Sequence, residues 1–88
     1  MISTEIKITN KLGIHARPAT KLVRTASQGK SEVFLIKNGQ RVNAQSILGV
    51  MLLQVERGCT ITIEVNGEDE EEMLQKLVNL VSNKFGEE

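Results

Sequence analysis

Gly13-Ile14-His15-Ala16-Arg17-Pro18-Ala19 sets an imidazole, a guanidinium and a proline within a few positions of one another. A neutral imidazole carries a lone pair on one ring nitrogen and attacks phosphorus without a partner base. The P–N bond it forms is itself reactive. A guanidinium two residues on, at Arg17, suits the charge on the equatorial oxygens of a phosphoryl group in transfer. Pro18 fits a first helical turn, where no intrahelical partner is lost. At such a helix start the N–H groups near Ala16 and Arg17 form an anion-binding cap, reinforced by the helix dipole, and Gly13 allows a tight approach to it. A plainer reading of the same residues is a histidine that merely precedes a helix, and residue types alone leave both open. No Ser/His/Asp set, paired-carboxylate cleft, second histidine for a metal or phosphate-cradling glycine loop accompanies His15. The pattern therefore points to a carrier whose partners supply the remaining chemistry, with no metal and no cofactor expected.

Flanking elements must hold this histidine at a helix start. Over residues 4–9, Thr4, Ile6 and Ile8 alternate with Glu5, Lys7 and Thr9, the period of a half-buried strand. Asn10-Lys11-Leu12-Gly13 breaks it with turn residues. Ala19, Leu22, Val23 and Ala26 fall at helical spacing, and Gly29 is a plausible stop, so the first helix is expected over about 16–28. Residues 33–37 form a second apolar run, and Asn38-Gly39 is a hairpin signal into a short third strand over 40–43. Periodicity does not say whether Phe34 and Ile36 or Val33 and Leu35 face the core.

Residues 46–53 read as a short apolar helix with Ser46 at its N-cap, weakened by Gly49 by about 1 kcal/mol relative to Ala. Ile61, Ile63 and Val65 alternate with Thr60, Thr62 and Glu64 as a fourth strand, ended by Asn66-Gly67. The last helix is expected to begin at Asp69, whose spacing to Glu72 fits a capping-box-like start. Met73, Leu74, Leu77, Leu80 and Val81 give its buried stripe, and Gly86 lies just past its end. This βαββαβα order predicts an α+β fold with helices on one face of a single sheet and the other face open.

The chain has 88 residues, few enough for one domain over 1–88 with a small core and no large enclosed active site. Eleven basic and eleven acidic residues cancel, which removes any bulk electrostatic argument for nucleic acid or an anionic membrane. With only two Phe, and no Trp or Tyr, an RNA-binding sheet is also disfavoured. The basic residues Lys7, Lys11, Arg17, Lys21 and Arg24 populate the first third, around the one histidine. The single Cys59 excludes an internal disulfide and reads as a small apolar filler. No apolar run is long enough to span a bilayer and the first residues lack a leader pattern, so a cytoplasmic, monomeric protein is expected.

Asn10-Lys11-Leu12-Gly13-Ile14-His15-Ala16-Arg17-Pro18-Ala19 resembles the active-site signature of the HPr family, the histidine phosphocarriers of the bacterial phosphoenolpyruvate-dependent phosphotransferase system. Asn43-Ala44-Gln45-Ser46-Ile47-Leu48-Gly49 resembles the family's second signature, and Gly67-Glu68-Asp69-Glu70 resembles the start of its last helix. The resemblance covers the whole chain. It implies an open-faced sandwich of four antiparallel strands under three helices. It also implies phosphorylation of His15 on Nδ1 by phosphorylated enzyme I and transfer to a histidine of an enzyme IIA component. Arg17 and the amides at Ala16 and Arg17 would assist the phosphate.

In the family, the serine matching Ser46 is the target of a dedicated HPr kinase/phosphorylase in many bacteria, although Gln45 here replaces the lysine more usual before it. The cap and the phosphorylation site are compatible readings. Ile47, Leu48 and Met51 form an apolar patch while Val50 and Leu53 turn inward; spacing alone also allows all five to be core, and the resemblance makes the patch a partner-docking surface. A different class of function is a regulatory binding module acting through phospho-Ser46 on a transcription factor or enzyme. Members specialised that way lack the active histidine, which this chain keeps. Between the sugar-uptake and nitrogen-related branches the sequence is divided, because the opening stretch and the Phe85-Gly86-Glu87-Glu88 tail resemble the nitrogen branch and the Ser46 region the sugar branch.

Overall fold

The computed structural model describes residues 1–86; Glu87 and Glu88, which end the tail compared above with the nitrogen branch, lie outside the described residues. The elements are β1 (Ile2–Lys7), α1 (Ala16–Ala26), β2 (Glu32–Lys37), β3 (Gln40–Asn43), α2 (Ile47–Leu52), β4 (Thr60–Asn66) and α3 (Glu70–Ser82), followed by a 3₁₀ turn at Lys84–Gly86. The strands form one antiparallel sheet in the order β1-β4-β2-β3. All three helices pack on the same side, as the element order predicts.

Alternation sets which face is buried. In β4, Ile61, Ile63 and Val65 are fully covered, and across the ladder Ile63 faces Thr4 on one side and Leu35 on the other. Val33 and Leu35 are the inward pair in β2, which resolves the ambiguity left by the apolar run. Phe34 and Ile36 therefore lie on the open face, where the Arg41 guanidinium stacks 3.8 Å from the Phe34 ring centroid and its Nε donates to Glu64 Oε1 at 3.0 Å. Leu22 and Ala26 of α1, Val50 of α2, and Met73, Leu77 and Val81 of α3 close the core over the sheet, with Phe85 completely buried at its end. Each of the larger of these apolar side chains, from Val to Phe, contributes about 1.5–3 kcal/mol through removal from water.

Several expected boundaries move for physical reasons. The β1 ladder stops at the pairing of Lys7 with Thr60. Ile8 instead exchanges backbone bonds with Cys59 and Gly58, at 2.8 and 2.7 Å. The first helix ends at Ala26 with Ser27 as C-cap, so Gly29 is not its stop. A Cβ at Gly29 would meet the Asp69 carboxylate and come within 2.9 Å of Met73 Cε, so the glycine is there for close approach.

The capping-box start of α3 is also corrected. Asp69 stands at the N-cap but makes no capping bond; its carboxylate accepts instead from the Lys30 N–H at 2.9 Å and from the Ser31 hydroxyl. Glu70 Oε1 accepts from the Gly67 N–H at 3.1 Å and so closes the turn from the other side. The Ser31 hydroxyl first, and the Lys30 amide second, hold the Asp69 carboxyl below its ordinary value.

Two outcomes test this account. Because its pKa is lowered on folding, Asp69 adds stability that is complete above its ordinary value of 3.8 and is lost as pH falls below it. Asp69→Asn is expected to lower the melting temperature at pH 7 and to flatten its fall below about pH 4; an unchanged acid limb would remove Asp69 from that role. Gly13, at φ +68°, would press a Cβ onto Val55 O and to 2.8 Å from Glu56 Cα, whereas a Cβ at Gly49 finds only ordinary contacts from 3.4 Å. Gly13→Ala is expected to cost about 2–3 kcal/mol in urea denaturation, and Gly49→Ala to be neutral or to stabilise by up to about 1 kcal/mol.

Candidate functional site

The chain enters α1 through a tight turn. The Asn10 side-chain amide donates to Gly13 O at 2.6 Å, the Gly13 N–H returns to Asn10 O at 3.2 Å, and the Ile14 N–H bonds Val55 O at 2.9 Å. Ile14 is buried, and the next residue, His15, is half-exposed. His15 occupies the N-cap of α1 with extended backbone angles (φ −94°, ψ −162°), and its carbonyl accepts the Ala19 N–H at 2.9 Å. Its imidazole makes no capping bond to the helix. The cap reading thus accounts for the position of the backbone at this helix start.

Ala16, Arg17 and Pro18 form the first turn. Pro18 is buried and needs no acceptor there, while the N–H groups of Ala16 and Arg17 precede the first helical bond and point out of the helix start. This turn holds no acidic residue, in contrast to α3, which places Glu70, Glu71 and Glu72 in its own first turn. The positive end of the α1 dipole is therefore not offset by carboxylates of its own turn. Ala16, Arg17, Thr20, Lys21 and Arg24 line a shallow open depression along α1. Lys21 is partly committed elsewhere, since its Nζ donates to Phe85 O at 2.6 Å and ties α1 to the C-terminal turn.

Beside α1 packs α2. Ser46 is exposed and acts as its N-cap, the hydroxyl accepting from the Gly49 N–H at 3.1 Å. The preceding loop is locked, because Asn43 Oδ1 accepts from the Gln45 N–H at 2.7 Å and Gln45 Nε2 donates to Ala26 O at 3.1 Å. Ile47, Leu48 and Met51 are exposed at 43%, 68% and 41%, while Val50 and Leu53 are covered, as expected for a surface patch rather than core. Val55, just past α2, carries the bond to Ile14, so Ser46 stands at the opposite end of this helix from the His15 loop.

Three features escaped the sequence reading. Leu52, 60% exposed, extends the patch; its spacing of four from Leu48 could have revealed it. Leu12, 67% exposed, adds an apolar tip to the His15 turn, where no periodicity exists to reveal it. Lys37 Nζ donates to Leu53 O at 3.1 Å and Gln54 O at 2.7 Å, capping α2 from the β2–β3 hairpin. Among the described residues no group of His, Cys, Asp and Glu could hold a metal ion, and no helix is long and apolar enough to cross a membrane.

Comparison with known proteins agrees with this arrangement. A family model described as the PTS HPr component phosphorylation site matches residues 2–83. The phosphocarrier protein HPr of Neisseria meningitidis is 47% identical over 87 residues, covering 99% of this chain and 98% of that protein. The HPr-like protein Crh of Bacillus subtilis is 42% identical over 84 residues, covering 96% of this chain and 99% of that protein. The crystal structure of HPr from Thermoanaerobacter tengcongensis superposes with a TM-score of 0.97 at 45% identity, covering 100% of this chain and 99% of that one. With a family match over residues 2–83 and both sequence and fold shared along its length, the chain belongs to the HPr phosphocarrier family of the phosphotransferase system.

Proposed function

We propose that His15 is the phosphoryl acceptor of a relay, charged by phosphorylated enzyme I and discharged onto a histidine of an enzyme IIA component. The observation that carries this reading is the N-cap placement of His15 at the start of a first turn free of acidic residues. In the forward step the Nδ1 lone pair attacks phosphorus, the new P–N bond forms, and the donor's P–N bond breaks with its electron pair returning to the donor nitrogen. Discharge is the same exchange with the acceptor histidine as nucleophile. Arg17 and the N–H groups of Ala16 and Arg17 bind the phosphoryl oxygens. The protein is a covalent intermediate rather than an enzyme, works as a cytoplasmic monomer, and needs neither cofactor nor metal.

Ile47, Leu48 and Met51, with Leu52, form the docking surface for both partners. Such a patch suits a transient contact, which has to release between donor and acceptor. A second role belongs to Ser46, as a target of an HPr kinase/phosphorylase. Its exposed hydroxyl and the 42% identity with an HPr-like protein Crh favour this reading. A phosphate there would add about −1.5 to −2 charges next to the docking patch and oppose partner binding.

Incubation with phosphoenolpyruvate and enzyme I is expected to introduce one acid-labile phosphate that His15→Ala abolishes; label surviving that change would sink the assignment. Arg17→Ala should leave the label but slow transfer about tenfold to hundredfold, read as kcat/KM. With ATP and an HPr kinase, an acid-stable phosphate lost in Ser46→Ala is expected, and no incorporation would leave Ser46 as a helix cap only.

A further inference from the structure

The 3₁₀ turn that follows α3 runs against the ordinary handedness of the chain. Lys84, Phe85 and Gly86 have φ of +55°, +57° and +76°. One left-handed residue past a helix end is a common stop, and Asn83 is the C-cap of α3. A second in succession, with a bulky side chain, is not; among the described residues Lys84 and Phe85 are the one adjacent non-glycine pair with positive φ. Such a conformation persists only where its surroundings over-determine it. They do so here: the Phe85 ring is completely buried, the Gly86 N–H bonds Asn83 O at 3.0 Å, and Lys21 Nζ donates to Phe85 O at 2.6 Å. The seat is close, since a Cβ at Gly86 would stand 3.3 Å from that ammonium.

Lys21 has a second place to bond. It is half-buried on α1, four residues after Arg17, and lines the open depression shared with Ala16, Arg17, Thr20 and Arg24. Residues four apart on a helix are neighbours, and their side chains lean toward its N-terminus, here the His15 end. In the structure the ammonium meets a neutral carbonyl. A phosphoryl oxygen is a stronger acceptor, because its own charge adds to the bond. We infer that Lys21 is the catch of a latch: it holds the turn at Lys84–Gly86 closed while His15 is unphosphorylated, and moves to the phosphoryl group once His15 is charged, letting the turn open. The carrier then bears a conformational mark of its loaded state. The inference rests on the relay reading above and adds no bond-making step, since Lys21 exchanges one hydrogen-bond acceptor for another.

The readout is exchange of the Gly86 amide with solvent, followed by NMR, because its bond to Asn83 O survives only in the closed turn. In the unvaried protein, phosphorylation maintained by phosphoenolpyruvate and a trace of enzyme I is expected to speed this exchange at least about tenfold. Lys21→Met keeps the apolar stem and removes the donor; it should exchange that much faster before phosphorylation and gain less than about twofold after it. Lys76→Met, which removes a charge from α3 instead, should behave as the unvaried protein, with thermal unfolding confirming that each variant is folded. A change at Gly86 of less than about twofold on complete labelling of His15 overturns the inference and leaves the relay intact, and this arm needs no variant. Exchange in Lys21→Met as slow as in the unvaried protein overturns it too. If His15 takes no label at all, the relay fails and the trigger of the latch with it.

Discussion

The seating of Gly13 on the backbone of Val55 and Glu56 is the contact through which the site is assembled. With no Cβ and with φ at +68°, Gly13 lets two main-chain segments approach more closely than any other residue would permit. The Ile14 N–H then reaches Val55 O, and the Asn10 amide closes the turn behind it. Ahead, buried Pro18 and Ala19 anchor the first turn of α1 in the core. His15 is thus fixed by main-chain constraints on both sides.

The two longer helices use their N-termini in opposite ways. In α3 the dipole is met internally by Glu70, Glu71 and Glu72, while Asp69 is turned sideways to hold Lys30 and Ser31. In α1 the first turn is Ala16-Arg17-Pro18, with no carboxylate to compete for the free amides. The same elementary field is met by carboxylates of its own turn at one site and is not at the other.

Local periodicity made the sheet legible, because Ile61, Ile63 and Val65 have to face one way whatever they pack against. The Asn38-Gly39 hairpin was equally plain, since Asn38 and Gly39 both adopt positive φ. What stayed hidden depended on distant partners. Asp69 looked like a cap because nothing nearby announces Ser31, 38 residues away, and Gly29 looked like a helix stop for the same reason. Phe34 and Ile36 acquired a face only once β4 had been paired. Lys37 could not be read as the cap of α2, since that depends on the hairpin folding back over Leu53 and Gln54. At His15, residue types suggested phosphoryl chemistry but favoured a bare helix start; the N-cap placement is visible only in three dimensions, and the family resemblance supplied the rest.

Six residues are too few for an independently stable helix, yet α2 presents Ile47, Leu48, Met51 and Leu52 to solvent. It can do so because its stability comes from elsewhere: the Ser46 hydroxyl at one end, the Lys37 ammonium at the other, and Val50 and Leu53 driven into the core beneath. The apolar outer face is then not required for folding. Exposed apolar area on a folded, capped helix gives a partner something to cover without any ordering cost. The small size of the patch keeps the resulting contact weak enough to break. The relay we propose needs both properties, since the phosphoryl group would move on only if the protein leaves its donor before meeting its acceptor.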